Sequence, residues 1–308
     1  MGDRLKDKVA VVTGAGRGVG RGVAIAFAVE GAKVVVNDLG GATDGSGDSA
    51  GPADEVVAEI KKNGGEAVAN YDSVAELEGG ERIINTAVDT YGKIDILVNN
   101  AGILRDKMIF NMTPEEWDAV MKVHLYGLFN CSKPAAILMR QQKSGRIISM
   151  SSTSGLIGNA GQGNYGAAKA GVAGFTRVIS RDLGKYGITA NAIAPGAGTR
   201  MTVSPEMETA RQRRVERGEI TQQQSDAGRM PEADDVAPIV VYLATDAAAN
   251  INGCTFGASG GRIALHTDPV AIKSIYKDGR WTLDELMRIV PMSLTNEVKN
   301  PAPSQVPK

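Results

Sequence analysis

Thr13-Gly14-Ala15-Gly16-Arg17-Gly18-Val19-Gly20 stands between a β-branched run, Lys8–Thr13, and a stretch of helical spacing from Gly22 to Glu30 that ends at Gly31. Glycine at alternate positions permits a tight turn and lets the backbone approach a pyrophosphate. The helix that follows offers amide donors and the positive end of its dipole. A glycine-rich turn alone is commonplace. A strand before it and a helix after it make it a nucleotide loop, with Gly14, Arg17, Gly18, Val19 and Gly20 as its expected contacts.

The same alternation continues outward. Short runs at Lys33–Asn37, Ala67–Tyr71, Ile94–Val98, Arg146–Met150, Ile188–Ile193 and Gly253–Phe256 are rich in Val and Ile, and longer segments of helical spacing lie between them. Such runs suit parallel strands buried on both faces. With Lys8–Thr13 they predict one α/β domain of Rossmann type over residues 1–262, a doubly wound, seven-stranded parallel sheet with ligands at the carboxyl ends of its strands. Thr113 before Pro114-Glu115-Glu116 is an N-cap signal. Asp38 ends the second run. An acid there can accept hydrogen bonds from both hydroxyls of an adenosine ribose, or it can merely cap a turn. It would repel a 2′-phosphate, and Leu39 adds no base, whereas Arg17 is a base in the loop. Asp38 is given more weight, so NAD is expected rather than NADP.

Three stretches interrupt the pattern. Gly40 to Pro52 is a small-polar loop, either a plain connection or an edge of the adenine pocket. The segment 199–230 is polar and charged, includes Arg211-Gln212-Arg213-Arg214, and is expected to be a substrate lid over the strand ends. Residues 263–308 are expected to be an extension rather than a separate domain, with a capped helix at Thr282–Arg288 and a frayed tail over 300–308.

Composition removes several function classes. The 308 residues carry 34 Lys+Arg against 35 Asp+Glu, a net charge of -1, without the basic excess of a nucleic-acid binder. Two cysteines, Cys131 and Cys254, and two histidines, His124 and His266, leave no material for a disulfide framework or a zinc site, so no metal is expected. No apolar run approaches the ~20 residues of a membrane span, and the charged start, Gly2 to Asp7, has no signal-peptide core. The expectation is a cytoplasmic protein that partners with neither membrane nor nucleic acid.

Tyr165 and Lys169 are four residues apart in a helical segment and so share a face. Ser152 ends the fifth run. A phenol with a pKa of ~10 is a poor base at neutral pH. A neighbouring ammonium favours the phenolate, which can then take a proton from an alcohol. A serine hydroxyl can hold the substrate oxygen. Elsewhere a Tyr-x3-Lys pair is ordinary helix surface; the nucleotide loop gives it meaning.

Thr13–Gly20, Asn99-Asn100-Ala101-Gly102, Ser152, Tyr165-x3-Lys169 and Pro195-Gly196 together resemble the short-chain dehydrogenase/reductase family over about residues 5 to 262. The resemblance implies NAD(P)-dependent oxidoreduction of a carbonyl/alcohol pair. In that pattern Tyr165 is the acid/base, Lys169 binds the nicotinamide ribose and tunes Tyr165, and Ser152 orients the substrate. Asn100, Ser73 and Val74 line the adenosine side, and Ala197, Gly198 and Thr199 meet the nicotinamide amide. The family also implies a homotetramer. Apolar and small residues on more than one face of the helices at Glu115–Arg140 and Tyr165–Lys185, among them Ala170, Ala173 and Phe175, agree with that.

One position departs from the family. His124, in Val123-His124-Leu125-Tyr126-Gly127, stands where the family has an asparagine that holds a relay water. It either serves that relay or is a satisfied core histidine. The same histidine, with Val36–Gly41, Asn70–Val74, Ala101–Asp106, Ala194–Met201 and Trp281-Thr282-Leu283, resembles a subgroup. That subgroup is the (3R)-hydroxyacyl-CoA dehydrogenase domain of peroxisomal multifunctional enzyme type 2 and its bacterial relatives. The segment around Arg211 and Arg214 differs from it. The resemblance implies an acyl-CoA thioester substrate. A 17β-hydroxysteroid or other cyclic alcohol is the alternative within the same chemistry, and a catalytically idle NAD-binding protein the alternative outside it.

Overall fold

The computed structural model describes residues 2–196, 231–299 and 301, and between them only positions 212, 213, 215, 217, 219 and 221. The contacts expected of Ala197, Gly198 and Thr199 lie outside the described residues, as do most of 199–230 and of 300–308.

Strands β1 (Val9–Thr13), β2 (Lys33–Asn37), β3 (Glu66–Asn70), β4 (Ile96–Asn99), β5 (Gly145–Met150), β6 (Ile188–Pro195), β7 (Thr255–Ser259) and β8 (Arg262–His266) form one sheet. Its order is β3-β2-β1-β4-β5-β6-β7-β8. Seven strands are parallel, and β8 pairs antiparallel with β7. The sheet therefore has eight strands rather than the expected seven. Gly260-Gly261 is a two-residue hairpin turn between the paired Ser259 and Arg262, with Gly260 at φ 56. The sequence pattern has its last strand at Gly253–Phe256 and includes no partner for it beyond the glycine pair.

Helices α1 (Gly18–Val29), α2 (Gly51–Lys62), α3 (Leu77–Tyr91), α4 (Pro114–Met121), α5 (Gly127–Gln142), α6 (Thr153–Leu156) and α7 (Gly163–Gly184) follow the strands, with a further helix at Ala237–Ala244 before β7. Alternation in β1 and β2 sorts the core. Ala10, Val12, Val34 and Val36 pack with Phe27 and Leu243 on one face, and Val9, Val11 and Val35 with Ile83, Ile84 and Met139 on the other. Both faces are covered, which is why these strands read as unbroken apolar runs. Thr113 caps α4 in a reciprocal capping box with Glu116. Within the helical stretch Glu115–Arg140 a π-turn at Lys122–Tyr126 joins α4 to α5 and carries His124.

Residues Met1–His266 form one compact unit and Thr267–Lys308 a second. In the second, Thr282 and Glu285 cap the helix Leu283–Ser293, and Lys277 bonds Glu285. No helix among the described residues is long and apolar enough to cross a membrane.

Candidate active site

The sheet order reverses direction between β1 and β4, so the loops leaving their carboxyl ends diverge and open a crevice there. The glycine loop leaves β1 at this point. Gly14 has φ 62, and a Cβ on it would lie 2.7 Å from Ala101 Cα, so no other residue fits. Asn100 Nδ2 donates to the carbonyls of Thr13 and Gly14, both at 2.9 Å, and its amide donates to Thr13 Oγ1 at 3.0 Å. Its side chain thus braces the loop. Arg17 is the N-cap of α1 and makes no side-chain cap bond, so its own side chain leaves the amides of the first turn, from Gly18 on, unscreened. That uncapped terminus, with glycine on either side, fits a pyrophosphate.

Asp38 lies just past β2. Its Oδ2 accepts from the Gly16 amide and its Oδ1 from the Gly40 amide, each at 2.7 Å. The carboxylate is therefore fixed beside the loop. It is half-buried, and Leu39 beside it and Arg17 across the loop are exposed. Past β3, Ser73 Oγ accepts from the Ala75 amide, and the Val74 carbonyl accepts from Asn130 Nδ2 at 2.9 Å. These bonds hold the Ser73-Val74 turn at the same rim as Asp38.

The chemical side chains meet past β5. Ser152 is the N-cap of α6, with its Oγ accepting from the Ser154 amide at 3.1 Å. Gly155 lets α6 approach the backbone of Lys169 and Ala170 in α7, where any Cβ would collide. This close approach brings the Ser152 hydroxyl beside the Tyr165 phenol, near enough to bear on its pKa. Lys169 donates through Nζ to the Met150 carbonyl and lies 5.6 Å from the centre of the Tyr165 ring. The rings of Tyr165 and His124 meet edge to face at 5.1 Å. Ser152, Tyr165, Lys169 and His124 thus form one cluster.

Its electrostatics differ from the simple expectation that Lys169 pulls the phenol down. Burial pushes the Tyr165 phenol above its usual value; the Ser152 hydroxyl opposes the rise, and Asp106 adds to it. Burial pushes Lys169 itself down to about 7. Burial also holds His124 well below the usual imidazole value, helped by Lys169 and opposed by the Ile103 carbonyl, so its ring is neutral.

His124 Nε2 stands 2.8 Å from the Ile103 carbonyl and 3.1 Å from the Ile103 amide. One tautomer donates to the carbonyl, and the other accepts from the amide. Nδ1 is buried with no protein partner, and so is Asn99 Oδ1. His124, Asn99 and Lys169 line one cavity of about 10 Å³, with Thr13 and Met150 among its other walls. That volume suits one water molecule.

Sequence reasoning missed Asn164, which is fully buried. Its Nδ2 donates to the carbonyls of Arg105 and Glu116, and its Oδ1 accepts from the Tyr165 amide at 2.8 Å. An amide side chain on the core face of a helix beside the tyrosine was the available signal. Asn99 was read only as part of a motif.

The sequence profile described as short chain dehydrogenase matches residues 8–214. A short-chain type dehydrogenase/reductase of Mycobacterium tuberculosis is 48% identical over 262 residues, 84% of each chain. Peroxisomal multifunctional enzyme type 2 of Mus musculus is 51% identical over 205 residues, which is 66% of this chain and 28% of that protein. A crystal structure of a short chain dehydrogenase from Mycobacterium avium superposes with a TM-score of 0.80 at 41% identity, covering 97% of this chain and 98% of the other.

Proposed function

The chain belongs to the short-chain dehydrogenase/reductase family, a family of oxidoreductases, and from that premise we propose that it is an NAD-dependent 3-hydroxyacyl-CoA dehydrogenase. The carrying observation is the cluster of Tyr165, Ser152, Lys169 and His124 past β5, in the same crevice as the uncapped start of α1.

NAD, when bound, supplies the hydride acceptor. Gly14, Arg17, Gly18, Val19 and Gly20 would cradle its pyrophosphate, Asn100 keeping the loop in shape. Asp38 would accept from the ribose hydroxyls with lone pairs that Gly16 and Gly40 leave free. Its charge beside the loop disfavours a 2′-phosphate. Ser73 and Val74 would border the adenine. Ala197, Gly198 and Thr199 remain the proposed contacts of the carboxamide.

Ser152 Oγ orients the substrate oxygen, and Tyr165 Oη takes the hydroxyl proton as the alcohol is oxidised. Lys169, moved from Met150 to the ribose, brings positive charge to the phenol and lowers a pKa that burial alone raises. A water in the small cavity would take the proton that Lys169 releases and pass it toward solvent, while neutral His124 holds that water as an acceptor through Nδ1 and donates from Nε2–H to Ile103. His124 so takes the relay role.

The substrate class rests on apolar surface beside the cluster. Ile109 is 70% exposed, Phe110 76% and Ile157 82%, and Ile109 Cδ1 lies 3.7 Å from where a Cβ of Gly163 would be, at the start of α7. Such a rim fits an acyl chain. We further propose the compact unit Met1–His266 as the catalytic domain, in place of residues 1–262, with 199–230 as its lid, 267–308 rather than 263–308 as an extension, and a homotetramer in the cytoplasm.

The test is NADH formation from (3R)- and (3S)-hydroxyacyl-CoA of short and long chain and from free hydroxysteroids, with NAD and with NADP. Faster turnover of the acyl thioesters with NAD supports the proposal. Preference for steroids overturns the substrate class, and no turnover of any alcohol overturns the dehydrogenase reading.

A further inference from the structure

Ile103, Leu104 and Arg105 leave β4 between two parts of the molecule. On one side they hold the proton-transfer groups. Ile103 anchors His124 Nε2, and the Arg105 carbonyl accepts from Asn164 Nδ2 at 3.0 Å, with Asn164 in turn bonded to the Tyr165 amide. On the other side the loop from Gly40 to Ser49 grips them. The Leu104 amide donates to the Thr43 carbonyl at 2.9 Å, and Arg105 Nε to the Asp44 carbonyl at 2.8 Å. Gly45, at φ 86, lies against Ile103, where a Cβ would come within 3.0 Å of Ile103 Cδ1.

This loop, Gly40-Gly41-Ala42-Thr43-Asp44-Gly45-Ser46-Gly47-Asp48-Ser49, has no large apolar side chain with which to order itself. Its order comes from a turn of its own, in which the Ala42 amide donates to the Ser46 carbonyl at 2.8 Å and Asp44 Oδ1 accepts from the Ser46 amide at 2.9 Å, and from bonds at both ends. At its base, Asp38 Oδ1 holds the Gly40 amide, and the Ser49 amide donates to the Leu39 carbonyl at 2.9 Å. At its tip it holds Leu104 and Arg105. It therefore runs from the carboxylate at the nucleotide rim to the segment that anchors both His124 and Tyr165.

Resting on the dehydrogenase reading above, we propose that the Gly40–Ser49 loop is a strut that positions the proton-transfer side chains, and that Arg105 is the positioning residue that pins it. The Arg105 side chain holds the loop while its carbonyl holds Asn164 beneath Tyr165. Releasing the pin loosens Ile103, and with it the ring of His124, without removing any group that touches substrate or nucleotide. Displacements of ~1 Å at such groups cost up to ~10²-fold in rate.

Arg105→Ala, Arg105→Lys and Gly45→Ala test this in the full chain. Gly45→Ala disturbs the same contact from the loop side, with a strained φ and a Cβ pressed on Ile103. Two readouts are compared with wild type: amide exchange of the nucleotide-free protein over residues 102–106 and 164–168, and kcat, KM and NADH affinity. In Arg105→Ala and Gly45→Ala, exchange over both segments speeds up and kcat falls by about tenfold. KM and the NADH dissociation constant stay within about twofold, and Arg105→Lys, which keeps a donor, retains most of kcat. Unchanged exchange over 164–168, or wild-type kcat in Arg105→Ala and Gly45→Ala, overturns the strut. A wild-type chain that oxidises no alcohol sinks the dehydrogenase reading instead, and the exchange pattern still decides the strut.

Discussion

Burial of Lys169 makes the stability of the nucleotide-free protein depend on pH in a definite direction. Its ammonium lies in the interior with the Met150 carbonyl as its hydrogen-bond acceptor, and burial lowers its pKa to about 7. A lysine in the unfolded chain titrates near ~10.4. Between these values the unfolded chain binds a proton that the native chain has released, so stability rises with pH by ~1.4 kcal/mol per unit. From about pH 7 to about pH 9, allowing for half-titration at the start, Lys169 adds ~2–3 kcal/mol, against a typical total of ~5–15 kcal/mol. Cys131 acts in the opposite sense. Burial raises its thiol to about 12, so above pH ~8.5 the native chain keeps a proton that the unfolded chain loses. Lys169→Met, of similar length and uncharged, cancels that contribution in the comparison. Denaturant unfolding of both proteins across this range should show wild type gaining ~2–3 kcal/mol on the variant as pH rises. A difference that stays constant with pH would refute the depressed lysine and the electrostatic picture of the site built on it.

Tyr165→Phe should lower kcat by ~10²–10⁴ while NADH binding, followed by fluorescence, changes little. Wild type should prefer NAD over NADP by at least about tenfold in kcat/KM, ~1.4 kcal/mol, and Asp38→Ala with Leu39→Arg should narrow or invert that preference in initial-rate assays. His124→Asn should keep appreciable turnover and His124→Leu should lose much of it. Either change should also flatten the loss of stability below pH ~6.5, where the unfolded imidazole gains a proton that the buried one refuses; full turnover in the leucine variant makes His124 core packing only. Tyr126, Phe129, Ile137 and Val178 are exposed on α5, on α7 and in the π-turn, so light scattering at micromolar concentration should give a tetramer mass.

Much of the sheet was legible because its strands are buried on both faces. Val9–Val12 and Val34–Val36 can satisfy that demand only as unbroken apolar runs, and the turns around them need glycine. β8 was not legible. It is an edge strand with Ile263 and Leu265 exposed, behind a glycine pair that is equally good at ending a domain and at turning a hairpin. The π-turn at Lys122–Tyr126 also escaped, since the extra residue alters the apolar spacing over a single turn, too short a stretch for periodicity to register.

Of the site, Ser152, Tyr165 and Lys169 could be named because their chemistry is tied to fixed spacings and strand ends. Asn164 and Ile103 could not. Asn164 works through side-chain bonds to the backbone of other residues, visible in sequence only as an amide on a helix, and nothing in the identity of Ile103 signals that its own amide and carbonyl hold a histidine. The raised phenol of the nucleotide-free chain could not be read from sequence for a related reason. Adjacency of a lysine is visible there, whereas the burial that lowers the lysine and raises the tyrosine is not.

Initial-rate NADH formation from a (3R)-hydroxyacyl-CoA, in wild type and Tyr165→Phe at equal nucleotide saturation, tests the central claim most directly. The account predicts NAD-dependent turnover in wild type and a loss of ~10²–10⁴ in the variant, with nucleotide binding retained. Turnover in Tyr165→Phe equal to wild type would contradict it.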